Sequence, residues 1–298
     1  MFKKNYQSMS TKIALGTAQF GLTYGVANTT GQPRSADVER ILRCASLAAM
    51  DTLDTAIAYG TSEACLGDIG VNGWKVVTKL SALPSNVTDV ESWVRQQVDA
   101  SLARLGIPQL DGLLLHRPQD LIGPCGKNYC RALKTIKDSG KAKSIGVSIY
   151  APTELNILWP VFVPDLVQAP LNILDQRLIQ SGWLTKLRAC GVRVHTRSTF
   201  LQGLLLMDQV NRPSYFHPWQ QILDEWAEWC ATNQCSTLEA ALGFALSQNG
   251  VEKVIIGVDT VNQLESILQA SATNLRNPVP CFSSHDVDLI EPSRWKLQ

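Results

Sequence analysis

A chain of 298 residues with 45% hydrophobic side chains can bury a large core, as one barrel or as two smaller domains. Lys+Arg 27 against Asp+Glu 26 leaves a formal net charge of +1, so no global field draws the chain to nucleic acid or to an anionic membrane. Every apolar run is interrupted well short of the roughly 20 residues that span a bilayer, and the start, M-F-K-K-N-Y-Q-S-M-S-T-K, has no following hydrophobic segment of signal-peptide type, so a soluble cytoplasmic protein is expected.

Strand-like and helix-like segments then alternate. K-I-A-L-G-T, 12–17, is the first apolar run, and its glycine permits close approach of backbone or ligand. After the turn-rich G-L-T-Y-G-V-A-N-T-T-G-Q-P, Ser35 is expected to cap a helix whose Val38, Ile41, Leu42 and Ala45 share a face. M-D-T-L-D gives the second strand, and a short helix starts over 61–66. The third strand, 75–79, precedes a helix over 87–105 with Val90, Val94, Val98 and Leu102 at helical spacing. L-D-G-L-L-L-H is the fourth strand, its consecutive leucines suiting burial on both faces. A helix over 129–139, ended by Gly140, leads to the fifth strand, 143–148.

Helix 152–158, strand 165–169, helix 175–189 and strand 192–196 follow. From 200 to 218 the chain is loop-rich, with Gly203, Pro213 and Pro218 as interruptions. Helices are expected over 219–231 and 236–248, then a strand over 252–257, then a last helix in V-N-Q-L-E-S-I-L-Q-A. Eight strands without a long break favour one (β/α)8 TIM barrel, a single domain over 1–298, rather than a doubly wound sheet. The proline-rich tail, from about 279, is expected to be an irregular extension. Eight dispersed cysteines read as free, mostly buried thiols.

Parallel barrel strands end at one mouth, where Asp54, Tyr59, Lys79 and His116 can share a pocket. A tyrosine is a poor acid or base at neutral pH until its phenolate is stabilised, and a lysine ammonium held by an aspartate supplies that stabilisation. His116 can then donate a hydrogen bond to a substrate carbonyl or help to relay the proton. Each residue alone has a structural explanation. Their joint placement after strands two, three and four points to catalysis.

L-D-T-A-I-A-Y-G, V-V-T-K-L and L-L-L-H-R-P, in this order, resemble the aldo-keto reductase family, over about Ile13 to Ala270. The resemblance implies a (β/α)8 fold, an extended nicotinamide cofactor bound without a Rossmann domain, and reversible reduction of an aldehyde or ketone. It implies Tyr59 as general acid, Lys79 and Asp54 as its tuning pair, and His116 as the residue that orients the carbonyl. It also implies cofactor contacts from Gly16, Thr17 and Ala18 after strand one, from Ser148 and Gln168 at the carboxamide, and Asn172 as a further polar position. Ile149 stands where the family often has asparagine.

Where many members place an aromatic ring on the nicotinamide, this chain has H-T-R-S-T-F. Arg197 there is suited to stack its guanidinium or to meet the pyrophosphate. Gln202, Gly203 and Leu204 are the implied pyrophosphate neighbours. Gly257, Val258, Asp259, Thr260, Gln263 and Glu265 form the implied adenosine end. Family habit favours NADP(H), yet Gly257, Val258 and Gln263 replace its usual basic positions and Asp259 opposes a 2′-phosphate, so NAD(H) or dual use stays open.

Phe20, Tyr24 and Trp159 are candidate substrate walls, with the loop over 117–127 and the tail, for a small polar or sugar-derived carbonyl. The alternative is a nucleotide-binding regulatory or interaction subunit on the same barrel. Metal-dependent hydrolysis is disfavoured, because His195, His217 and His285 form no short ligand motif.

Overall fold

The computed structural model describes residues 10–28, 31–273, 277, 279, 280 and 282–297. The N-terminal lysine-bearing segment, Pro278 at the start of the tail and Cys281 lie outside the described residues. Eight parallel strands close in sequence order, with β8 returning to β1: β1 Ile13–Gly16, β2 Thr52–Asp54, β3 Lys75–Leu80, β4 Leu110–Leu115, β5 Ala142–Ser148, β6 Leu166–Pro170, β7 Arg193–Arg197 and β8 Lys253–Gly257. This is the (β/α)8 barrel expected from the alternation. The strands are almost entirely buried because helices cover their outer faces and their inner side chains fill the barrel.

Two apolar clusters do most of the covering. The larger joins the outer faces of the strands to helical faces such as Val38, Ile41, Leu42 and Ala45 on the helix Ser35–Leu47, and Val90, Val94 and Val98 on the helix Val90–Leu105. The second gathers Leu201, Leu204 and Leu205, Phe216, Trp226, and Leu289 and Ile290 of the C-terminal segment. Inside the barrel Val77, Leu114 and Leu166 form a small cluster of their own.

The N-terminal end of the barrel is closed by charge. Arg193 donates to Asp111 at 2.8 Å, to Glu252 at 2.7 Å and to the Ser144 hydroxyl at 3.1 Å. Lys253 and Lys75 both donate to Asp51, and Lys253 also meets the carbonyl of Thr11. Five strands and the segments entering β1, β2 and β8 are tied together there.

Several boundaries differ from expectation for local reasons. Ser35 is the first helical residue and makes no side-chain cap, the N-cap being Arg34. Asp89 caps the next long helix by accepting from the Ser92 N–H, so that helix begins at Val90 rather than 87. The helix expected over 175–189 is two, Arg177–Gln180 and Trp183–Ala189, parted at Gly182 with φ 76°. The described part of the tail packs on the barrel: Ser284 N–H donates to Leu174 O at 2.7 Å, Glu291 pairs with Arg177 at 2.9 Å, and Trp295 meets Phe216 edge-on. The seven described cysteines are free thiols, but only Cys230 among them is buried and Cys190 is exposed. Among the described residues, no helix is long and apolar enough to cross a membrane.

Candidate active site

Asp54 ends β2, Lys79 is the penultimate residue of β3, and His116 directly follows β4, so parallel pairing brings all three to the C-terminal mouth. Lys79 is fully buried, and an ammonium there needs a partner for each of its three N–H bonds. It has them: Asp54 Oδ2 at 2.7 Å, the Thr55 carbonyl at 2.8 Å and the Tyr59 hydroxyl at 3.5 Å. Burial works against the charge, but Asp54 and then Tyr59 outweigh it and hold the ammonium above its ordinary pKa. Gln168 donates to the other Asp54 oxygen at 2.6 Å and accepts from Ser148 at 3.3 Å, so both ends of its amide brace the carboxylate from inside the barrel.

Tyr59 sits in the β2 loop, and two glycines fix that loop. A Cβ on Gly21 would overlap the Tyr59 carbonyl oxygen, and one on Gly60, whose φ is +55°, would overlap the Gly21 oxygen. The two backbones meet at a distance only glycine allows. The Tyr59 and His116 rings stand edge to face, 5.9 Å apart. Burial, then the positive charges of Lys79 and Arg197, push His116 down to about 4, which makes it a neutral imidazole at pH 7.

From this cluster a cavity of about 580 Å³ runs past the ends of β1, β7 and β8 to the start of the helix Val261–Ser271. Gly16, Thr17, Ala18, Tyr24, Ser148, Gln168, Arg197, Gln202, Gly203, Gly257, Asp259 and Gln263 line it with Asp54, Tyr59 and His116. Lys79 stands just behind the wall.

Six expected contacts lie elsewhere. Leu204 and Val258 turn into the apolar clusters, each one residue beyond a lining position. Thr260 caps the helix by accepting from the Gln263 N–H, and Glu265 is exposed outside the cavity. Phe20 is buried in the main core, and Trp159 is set against Trp183 and Lys186 in the outer helical layer. No residue of the 117–127 loop or the tail lines the cavity among the described residues. Asn172 acts from behind, donating to the Ser198 carbonyl at 3.0 Å.

The cavity also has walls that sequence reasoning missed, chiefly Gln19, Tyr150, Thr199, Asn262 and Ser266. Asn262 and Ser266 lie one helical turn apart, a spacing visible in the sequence. Tyr150 follows β5 by two residues.

The loop after β7 suits a phosphate group. Ser198, Leu201 and Gln202 have φ of 63°, 49° and 54°, and Gly203 has 94°. Left-handed conformations cost non-glycine residues roughly 1–2 kcal/mol each, and interleaved with right-handed ones they turn backbone N–H groups into an anion-binding concavity. The Thr199 hydroxyl, on the cavity wall, is buried without a partner among the described residues. An ordering ligand with acceptor oxygens fits this loop. Over it lies the segment after β1, where Tyr24 accepts from Gln202 at 3.2 Å and Asn28 donates to Asp259 at 3.1 Å.

The model of the aldo/keto reductase family matches residues 12–278. The chain is 27% identical over 198 residues to the NADH-specific methylglyoxal reductase of Escherichia coli, covering 61% of this chain and 60% of that one. It is 25% identical over 264 residues to the D-arabinose 1-dehydrogenase of Saccharomyces cerevisiae, covering 80% and 78%. The match to aflatoxin B1 aldehyde reductase member 2 of Rattus norvegicus takes in 45% of that protein's length. In fold, it superposes on an aldo-keto reductase of Bacillus halodurans in its holo form with a TM-score of 0.72, 20% identity and coverage of 89% of this chain and 88% of that chain. With a family model matching nearly its whole length and a barrel of the same kind, the chain belongs to the aldo/keto reductase family.

Proposed function

We propose that this chain, acting as one barrel domain, reduces an aldehyde or ketone to an alcohol with a nicotinamide cofactor, Tyr59 delivering the proton. The observation that carries the reading is Lys79 Nζ, joined to Asp54 on one side and to the Tyr59 hydroxyl on the other, with His116 facing the same tyrosine. When bound, the reduced nicotinamide supplies a hydride to the carbonyl carbon. As negative charge grows on the carbonyl oxygen, Tyr59 O–H gives it a proton, and the nearby ammonium stabilises the phenolate left behind. Neutral His116 donates its N–H to the same oxygen and keeps the carbonyl oriented. Asp54, braced by Gln168, keeps the ammonium charged and in place.

The residues of the cavity fit the cofactor in an extended form. The left-handed loop at 198–203 and Thr199 suit the pyrophosphate. Asp259, Asn262, Gln263 and Ser266 suit the adenosine. The basic residues lining the cavity among those described, Arg197 and His116, both stand at the catalytic end, so among the described residues of the wall no cation serves a 2′-phosphate, and Asp259 opposes one. This supports NAD(H) over NADP(H), and the name of the Escherichia coli relative points the same way.

The test has two parts. Fluorescence titration is expected to show NADH bound at least tenfold more tightly than NADPH; the reverse order would overturn the cofactor assignment. A panel of small aldehydes, ketones and sugars with NADH is expected to show turnover that falls at least 1,000-fold in Tyr59→Phe while NADH affinity is kept. Equal turnover by the two proteins would sink the proton-transfer role.

A further inference from the structure

We infer that Glu63 is a positioning residue: through Thr78 it sets the separation of the Tyr59 hydroxyl from the Lys79 ammonium. This rests on the proton transfer proposed above and deepens it.

Glu63 is buried, and a carboxylate away from water is costly unless its oxygens are met. Both are met here. One accepts from the Thr78 and Ser101 hydroxyls, each at 2.6 Å. The other accepts from Arg104 Nε at 2.8 Å and Nη2 at 2.6 Å. A network satisfied this fully holds one arrangement. Among the described residues the other buried carboxylates are accounted for: Asp54 serves the pocket, Asp111 the ionic floor and Asp175 the Arg177 pair. Glu63 belongs to none of these and lies between the barrel and its helical layer.

What Glu63 joins gives it a function. The Tyr59 carbonyl accepts from the Ser62 N–H at 3.0 Å, so Tyr59 opens the turn into the helix Ser62–Ile69, of which Glu63 is the second residue. Ser62 ties the same turn to the end of β1, donating to the Thr17 carbonyl at 2.9 Å. On the other side Thr78 and Lys79 are consecutive in β3, and consecutive strand side chains face opposite ways. Thr78 reaches out to the helical layer, and Lys79 reaches in to Asp54 and Tyr59. The Tyr59 turn and β3 are therefore joined twice, by Glu63 to Thr78 outside the barrel wall and by Tyr59 to Lys79 inside it. The outer bond, at 2.6 Å, is short and charge-assisted, whereas the inner one, at 3.5 Å, is the longest of the three Lys79 contacts. The outer bond holds a distance, and the inner contact is the distance held. Attraction between ammonium and phenolate grows as they approach, so that separation governs how readily Tyr59 gives up its proton.

The experiment uses the full chain and two deletions at the same carboxylate oxygen. Thr78→Val removes the link to β3, and Ser101→Ala removes the link to the helix Val90–Leu105. Each leaves the other hydroxyl and Arg104 on Glu63, so both variants are expected to fold, with similar losses in thermal midpoint. Two readouts separate positioning from packing: kcat with NADH and the best carbonyl of the panel above, and the ionisation of Tyr59. The second is followed by NMR of tyrosine labelled at the ring carbon Cζ, the Tyr59 resonance being the one absent from Tyr59→Phe. In Thr78→Val, kcat is expected to fall about tenfold with NADH affinity kept, and the ionisation midpoint to rise by about half a pH unit or more. Ser101→Ala is expected to keep kcat within twofold and the midpoint unmoved, and Thr78→Ser, which retains the hydroxyl, to match wild type. An unmoved midpoint in Thr78→Val overturns the assignment, whatever happens to kcat, and so does an equal movement in Ser101→Ala. A midpoint that moves in Thr78→Val alone, with no carbonyl turnover by wild type, would keep the positioning role and overturn the carbonyl-reduction reading instead.

Discussion

His116 shows how the site sets a protonation state by surroundings rather than by a single partner. Burial and two nearby cations hold it at about 4, against 6.5 for the free side chain. Above pH 6.5 neither the folded nor the unfolded chain carries this proton, and the contribution to stability is complete. Between 6.5 and 4 the unfolded chain binds a proton that the folded chain excludes, so stability falls as pH falls, by roughly 3 kcal/mol over the interval, and levels below it. Urea unfolding at pH 7.5 and 4.5 is expected to show wild type losing roughly 2–3 kcal/mol more than His116→Gln. Equal losses would mean that His116 titrates normally in the folded protein. The same depression suits the role proposed for His116, since the imidazole remains a neutral donor across the physiological range.

The loop after β2 carries Tyr59, on which the proposed proton transfer depends, and its neighbour is the loop after β1 rather than its own strand. Gly21 and Gly60 let the two backbones touch, and Tyr59 is carried between them. Gly21→Ala must part the loops. A displacement of about 1 Å at a catalytic group can cost about 100-fold in rate, and overpacking costs roughly 1–3 kcal/mol. Steady-state kinetics is therefore expected to show kcat reduced 10- to 100-fold with the barrel still folded by circular dichroism; unchanged kcat would show that the loops do not constrain Tyr59.

Residues of this kind mark the boundary of what was legible in the sequence. Asp54, Lys79 and His116 were readable because a buried strand announces its own end, and a barrel sends all such ends to one mouth. The side chains of Leu204 and Val258 turn away from the cavity because one residue step along an irregular loop reverses the facing of a side chain. Trp159 stands outside the cavity because it directly follows the helix Thr153–Leu158 rather than a strand end, and packs in the outer layer against Trp183. Tyr150 and Thr199 were missed because nothing in a lone tyrosine or threonine says which wall it joins. The contact of Gly21 with Gly60 joins two loops and has no local signal at all.

At the scale of the molecule, the C-terminal segment supports the loop after β7, the proposed seat of the pyrophosphate, from behind. Leu289 and Ile290 are buried in the same cluster as Leu201, Leu204 and Leu205, and Trp295 closes against Phe216. Ending the chain before residue 279 removes two buried aliphatic side chains worth roughly 3–6 kcal/mol together and leaves the strained 198–203 backbone unsupported. Thermal unfolding is expected at lower temperature, and NADH affinity is expected to fall at least tenfold although no described tail residue lines the cavity. A shortened chain that binds NADH as tightly as the full one would show that the loop holds its shape alone.

The ionic floor of the barrel has a consequence for how such a protein can change. Arg193, Asp111, Glu252, Lys253, Asp51 and Lys75 close the ring at the end farthest from the chemistry, and none of them belongs to the loops at the mouth. Closure and selectivity are thus written in separate sets of residues. Cavity-lining residues such as Tyr24 and Tyr150 can change without unpicking what keeps eight strands in a circle, so the scaffold behaves as a fixed chassis with an exchangeable rim.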